Sequence, residues 1–251
     1  MIALFFKSII VIVKRDFLAH FRNISSNFIL FVYFITGIVF WAATLGRLVY
    51  IANYFEFLLV GLLILGVYNT SYNYMSIIGT EVRRGYVKYL LVLPVSRGGI
   101  TVGRVLAGTI QGIVYVAILL GVTLVFLPWP SFAGFLMIFG TVACLSFCLS
   151  SLGIAIASYL RPALVDPVSD VLGLSLLFTS TIYYPPNIMP LQLKFLTAGN
   201  LLTAGADLVR AGFGLATISN SDVITLSLWT ITFALLSIRG YYRQLEHLSL
   251  L

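Results

Sequence analysis

Long uncharged stretches alternate with short charged ones along this chain, and the uncharged stretches have membrane-spanning length. No Asp, Glu, Lys or Arg occurs over 23–46, 57–80 or 105–160. About 20 apolar residues cross the hydrocarbon of a bilayer, so the first two runs each predict one span, about 27–46 and 55–77. The third run is long enough for two. Pro128-Trp129-Pro130 divides it, because paired prolines break a helix and Trp favours the interface. Spans at about 101–127 and 133–158 follow. Asp166 before Pro167 reads as an N-cap with proline at the first helical position, opening a fifth span at about 167–184 that stops at Pro185-Pro186. Lys194, Asp207, Arg210 and Asp222 then cut the chain into pieces too short to cross. The segment 187–213 therefore predicts short helices re-entering from the outer side. The last uncharged run, 223–238, gives a sixth span at about 222–240, which Gly240-Tyr241-Tyr242 can lengthen.

Two stretches do not fit the spanning pattern. In residues 2–22, Lys7, Lys14, Arg15 and Arg22 share one broad face, with Phe5, Phe6, Ile9, Ile10, Val13 and Phe17 largely opposite. That is the pattern of a helix lying in the headgroup plane. Its charges also leave too short an apolar core for a cleaved signal peptide. The second stretch is GTEVRRGYVKYLLVLPVSRGGITVGR, residues 79–104, with Arg83, Arg84, Lys88, Arg97 and Arg104 against the single acid Glu81. Each Lys or Arg at mid-bilayer costs roughly 2.5–3.5 kcal/mol, so this stretch lies outside the lipid. Over 79–93 the residues predict a short amphipathic helix, with Val82, Tyr86, Tyr89 and Leu90 on one stripe and Pro94 as its stop. Such a helix can rest on headgroups, dock into a partner, or serve only as a positive loop that fixes topology.

Composition agrees. The 251 residues are 60% hydrophobic and 9% charged, with a mean hydropathy of +1.05; soluble domains carry about 25% charged residues. With six spans both termini share a side, and among Lys and Arg only Arg47, Lys194 and Arg210 fall on the opposite one. The bias makes the terminal side cytoplasmic. The net charge of +7 therefore reflects topology and does not point to nucleic acid. Cys144 and Cys148 sit within an apolar run and read as packed thiols.

Polar side chains inside the spans are concentrated. Asn69, Thr70, Ser71, Tyr72, Asn73 and Tyr74 lie in the second, and Ser169, Ser175, Thr179, Ser180, Thr181 and Tyr183 in the fifth. In lipid such groups must find partners, so they hold helices together or line a wet path. Asp166 and Asp170, four apart, would suit a proton or cation site in an ion-coupled carrier, although helix capping also accounts for them. No phosphate-binding G-x-x-x-x-G-K-[ST] and no G-x-G-x-x-G occurs. The two histidines, His20 and His247, lie near the inner ends, so intramembrane catalysis has no base to use.

Glu81, Gly85, Leu90, Leu93-Pro94-Val95-Ser96-Arg97 and Gly103-Arg104, followed by Tyr184-Pro185, Met189-Pro190, Asn200 and Asp207-Leu208-Val209-Arg210, resemble the type 2 permease subunits of ABC transporters, most like the daunorubicin-exporter branch. Leu201 stands where that family usually has proline after Asn200. The resemblance implies an all-α integral membrane protein with six transmembrane helices, an N-terminal interfacial helix, a cytoplasmic coupling helix near 79–93 and outer re-entrant helices between spans five and six. It implies a non-catalytic transport subunit in the plasma membrane of a bacterium or archaeon. Two copies of a separate ATP-binding subunit would hold the ATP and Mg, and a second permease copy would complete a homodimer or paralogous heterodimer within the lipid. Coupling to the ATPase would rest on Glu81, Arg83, Arg84, Gly85, Lys88, Pro94 and Arg97. The substrate path would be lined by Asn69, Tyr72, Asn73, Ser175, Thr179, Ser180 and Tyr183, for an apolar or amphipathic drug, lipid or glycan.

Overall fold

The computed structural model describes residues 2–22, 24–38, 40, 44, 53–72, 74–92 and 94–249, and no strand occurs among them. Ten helices position the site: α1 (Ile2–Arg22), α2 (Ile24–Gly37), α3 (Tyr54–Val67), α4 (Tyr74–Arg83), α5 (Tyr86–Val92), α6 (Arg97–Thr123), α7 (Phe132–Tyr159), α8 (Pro162–Phe178), α9 (Leu191–Ala198) and α10 (Leu201–Gly212). An eleventh, α11 (Asn220–Ser249), closes the chain. Among the described residues, four segments are long and apolar enough to cross a membrane: Tyr54–Arg83, Arg97–Thr123, Phe132–Tyr159 and Asn220–Glu246. The protein is a multi-pass helical membrane protein. Of the first expected span, α2 covers the beginning, and most of 39–52 lies outside the described residues.

At the centre stands α3, apolar on every side and buried from Leu58 to Val67, as a helix without a polar face must be. It continues through a π-helical turn, Tyr68–Tyr72, into α4. The Thr70 hydroxyl donates to the Gly66 carbonyl at 2.9 Å, and the rings of Tyr68 and Tyr72 stack at 4.9 Å. Such turns locally widen a helix and recur at functional positions. Lengthwise against α6 runs α1. A Cβ on Gly99 would meet the Ser8 Cβ at 2.6 Å, and one on Gly103 the Ile12 Cβ at 2.9 Å, so small residues set this close approach. Ser96 caps α6 by accepting from Gly99 N at 3.1 Å, while its own N–H donates to Ser8 Oγ at 2.9 Å.

Three boundaries depart from the sequence reading. The helix expected over 79–93 is split: α4 ends at Arg83 and α5 begins at Tyr86, because Gly85 takes φ +74°, the left-handed geometry that ends helices. The break also moves the apolar face, so Val87 and Leu90 are buried and Tyr86 is exposed. Asp166 does not cap the fifth span. Its helix starts earlier, with Arg161 at the N-cap and Pro162 first, leaving Pro167 inside; Pro162 occupies the position where a missing N–H is harmless. At the other end α8 stops at Phe178 rather than Tyr184. Asn200 holds that end, donating from Nδ2 to the Leu176 carbonyl at 2.7 Å and to Thr179 Oγ1 at 2.9 Å.

Candidate functional site

Buried charge gathers at the end of the bundle where α1, α4 and α6 meet. Arg104 on α6 has no exposed side-chain surface, and an unpaired guanidinium there would be prohibitive. Its Nη1 donates to Asp16 Oδ2 at 3.2 Å, and its Nη2 pairs with Glu81. Asp16 also accepts from the Tyr74 hydroxyl and from Arg15 Nε at 2.7 Å. A second guanidinium nitrogen, Arg15 Nη2, reaches Glu81 Oε1 at 3.1 Å. Gln111, one heptad after Arg104 on α6, donates to the Asp16 carbonyl at 3.3 Å, and Tyr241 of α11 is buried beside Arg104. Two guanidinium groups thus face two carboxylates in a cluster of zero formal charge.

In front of that cluster lies a cavity of about 690 Å³, lined by Arg15, Asp16, Ala19 and His20 from α1, Tyr74, Ile77 and Glu81 from α4, and Tyr86 and Leu90 from α5. Burial pulls the His20 pKa below its ordinary value, so its imidazole is neutral at pH 7.

The residues expected to couple to an ATPase separate into two groups. Glu81 is held inside by Arg104 and Arg15. Arg83, Arg84 and Pro94 are exposed and Arg97 is half-buried. Lys88 lies in α5, its side chain outside the described residues, and Gly85 forms the break. Arg83 donates to Asp166 Oδ2 at 2.9 Å and to the Pro162 carbonyl at 3.1 Å, which ties α4 to α8. With Asp166 so engaged and Asp170 exposed, the two acids form no enclosed ion site.

The expected path residues do not converge on one cavity within this chain. Asn69 lines a small crevice with Tyr33 and Tyr115. The Tyr72 hydroxyl donates to the Ser169 carbonyl at 3.0 Å, and that of Ser180 to the Leu177 carbonyl at 2.7 Å; both side chains are buried. Ser175 is exposed and Thr179 half-exposed on α8, while the Tyr183 carbonyl accepts from the Tyr54 hydroxyl at 2.9 Å. Asn73 lies outside the described residues.

Comparison with known families matches residues 7–213 to the ABC-2 type transporter family. The chain belongs to the ABC-2 type transporter family. It is a permease component of an ABC transporter, a class that works with an ATP-binding subunit. Comparison with curated proteins gives no match.

The matched stretch runs from within α1 through α10, and it includes the buried Arg104 and, on α10, the buried Arg210 of this ABC-2 permease. Sequence reading assigned Arg104 to the basic stretch outside the lipid and gave Asp16 no role, so it missed their meeting. One signal was available: Arg104 and Gln111 recur at heptad spacing just after Gly99 and Gly103, a polar stripe behind a close-packing one. The family's Asn200 also acquires a role. Its side chain accepts from Leu202 N at 2.8 Å, making it the N-cap of α10. Leu201 then fills the first helical position, where proline is equally suited because the N–H there needs no partner.

Proposed function

We propose that this chain is the membrane-spanning subunit of an ABC exporter, crossing the membrane six times with both termini cytoplasmic. Two copies, identical or paralogous, enclose the path, and a separate ATPase subunit docks on each from inside and holds the ATP and Mg. The host membrane is the plasma membrane of a bacterium or archaeon, and the cargo is an apolar or amphipathic drug, lipid or glycan. One observation carries this reading. The exposed turn at Arg84-Gly85 and the helix α5 are joined directly to Glu81, whose carboxylate is locked to Arg104 and Arg15.

A push on α5 reaches Glu81 through little more than one helical turn. Stretching the ion cluster would leave carboxylates buried without partners, at a cost of about 3–5 kcal/mol for each broken pair. Following the push is cheaper, so α1, α4 and α6 move together. The π-helical turn at Tyr68–Tyr72 supplies a place for that span to bend. Ser175 and Thr179, turned outward on α8, would face the path once a second copy closes it.

The test uses Arg84, which is exposed, rather than Glu81, whose loss would disturb folding. Wild-type protein taken from native membranes brings a stoichiometric ATPase with it. Arg84→Glu loses that subunit at least tenfold, an effect of about 1.4 kcal/mol, while eluting at the same volume. Transport by the reconstituted chain without a nucleotide-hydrolysing companion would falsify the reading.

A further inference from the structure

The cavity between α1, α4 and α5 is not needed to explain coupling, yet it has the make-up of a ligand site. Its volume of about 690 Å³ lies within the ~300–1,000 Å³ typical of small-molecule pockets. Arg104 is sealed behind the cluster, but the Arg15 and Glu81 side chains keep 34% and 21% of their surface. The cavity therefore presents one guanidinium and one carboxylate 3.1 Å apart. Arg15 uses Nε and Nη2 on Asp16 and Glu81, which leaves Nη1 for an acceptor from outside.

The balance of charge selects the ligand. A monoanion is attracted by Arg15 and repelled by Glu81 and Asp16 behind it; a monocation meets the reverse. A ligand with a phosphate and an ammonium a few ångströms apart answers both, since guanidinium groups hydrogen-bond phosphate oxygens well. A primary ammonium offers three N–H donors to the carboxylates, and a trimethylammonium offers none. Beyond the ions the walls turn apolar: Ile77 and Tyr86 are 42% and 51% exposed, and Leu90 lies beside them in the lining.

We infer that this cavity binds the headgroup of an aminophospholipid of the phosphatidylethanolamine type from the inner leaflet, with phosphate at Arg15, ammonium at Glu81 and acyl chains along Ile77 and Tyr86. The inference rests on the inner-surface placement of α1 proposed above, but on neither an ATPase nor a transported cargo.

Native mass spectrometry of the full chain, delipidated in detergent and then given dioleoyl phosphatidylethanolamine, phosphatidylcholine or phosphatidylglycerol, tests it. Phosphatidylethanolamine is expected to be retained about tenfold over each of the others. Equal retention of the choline lipid would show that the ammonium N–H groups are not read, and equal retention of the glycerol lipid would leave only a general anion affinity; either overturns the assignment. Ala19→Trp fills the cavity while leaving every charge in place, and it should lower phosphatidylethanolamine retention about tenfold. Unchanged retention in a correctly folded Ala19→Trp overturns the site. Should that variant not fold, a photoactivatable phosphatidylethanolamine on wild-type protein decides: labelling within 15–20 and 77–90 supports the site, and labelling elsewhere overturns it. Soluble glycerophosphoethanolamine that displaces the lipid at equal concentration would make the source aqueous and overturn the lipid assignment. Labelling of Leu18→Cys only from outside the cell would overturn the inner-leaflet source and the proposed topology, while the headgroup preference would be judged by the retention series alone.

Discussion

Among the described residues two arginines are buried, at opposite ends of this bundle, and they are satisfied in different ways. Arg104 faces carboxylates from two other helices, Asp16 of α1 and Glu81 of α4. Arg210 on α10 has one carboxylate, Asp207 of its own helix, at 2.6 Å. The rest of its partners belong to backbone and hydroxyl. Nη2 donates to the carbonyls of Thr181 at 2.8 Å and Phe57 at 3.2 Å, Nη1 donates to Thr181 Oγ1 at 3.2 Å, and the guanidinium lies 3.5 Å from the Phe57 ring centre. Burial pulls the Arg210 pKa down to about 10 while Asp207 raises it, so it stays charged at neutral pH. The first arginine joins three helices through charge. The second clasps helix ends, holding α10 to the start of α3 and to the turn after α8. A charged joint transmits displacement between helices, whereas a backbone clasp fixes geometry. The joint lies next to the break at Gly85, and the clasp lies next to the short helices α9 and α10.

Removing each guanidinium gives the largest contrast. Arg104→Met leaves Asp16 and Glu81 to share the single guanidinium of Arg15 and should cost about 3–5 kcal/mol, read as a lowered Tm or as loss of the monodisperse peak in detergent. Arg210→Met strands two carbonyls and a carboxylate that keeps 26% of its surface, and it should cost less, about 1–3 kcal/mol. Rescue sharpens the distinction. Adding Glu81→Gln to Arg104→Met restores the balance of one guanidinium to one carboxylate and should recover part of the stability, while Asp207→Asn added to Arg210→Met leaves the carbonyls unpaired and should restore little. Equal costs, or rescue of Arg210→Met only, would break the contrast between joint and clasp.

A smaller effect is expected at the break beside the joint. Gly85 sits at φ +74° with no heavy atom within 4 Å of an added Cβ. Alanine there meets no clash and suffers only the backbone penalty of the left-handed region, about 1–2 kcal/mol. Asparagine, which tolerates that region, should cost less than alanine in the same melts. If both are neutral, α4 can run on into α5, and the end of the bundle that holds Arg104 would carry one rigid helix rather than a joint with a lever.

How much of this the sequence carried follows from the kind of contact. Uncharged runs located α3, α6, α7 and α11, because burial in lipid is written in composition. The order Glu81, Gly85, Pro94, Arg97 carried the resemblance to the family, and Gly85 was visible as a residue though not as a helix end. What stayed hidden were meetings between distant segments. Nothing in the α1 sequence says that Asp16 turns toward Arg104, since a charge on an amphipathic helix normally faces water. Carbonyl partners such as those of Thr181 and Phe57 have no sequence signal at all, because every residue has a carbonyl. The N-cap reading at Asp166 failed for a related reason. Two Arg/Asp-Pro pairs in one turn gave two valid helix starts, and the earlier one won, freeing Asp166 to meet Arg83.

That last pair provides the smallest effect and the control for the contrast. Arg83 and Asp166 approach to 2.9 Å, closer than the 3.2 Å between Arg104 and Asp16, yet their side chains are 37% and 45% exposed. If distance decided the strength of an ion pair, this one would rank with the buried cluster. Solvent screening predicts otherwise: exposed pairs contribute about 0–1 kcal/mol and weaken with salt. A double-mutant cycle of Arg83→Gln and Asp166→Asn should therefore give a coupling below about 1 kcal/mol that shrinks further in 1 M salt, where the Debye length is about 3 Å. Arg83→Gln alone should cost slightly more than Asp166→Asn alone, because Arg83 also bonds the Pro162 carbonyl and Thr80 Oγ1, each at 3.1 Å, whereas Asp166 has one further and longer bond, from Ser76 at 3.3 Å. A coupling as large as that between Arg104 and Glu81, indifferent to salt, would mean that the α4–α8 contact is itself shielded from water. That end of the bundle would then hold two charged joints, and a displacement of α5 would reach α8 directly rather than through Glu81.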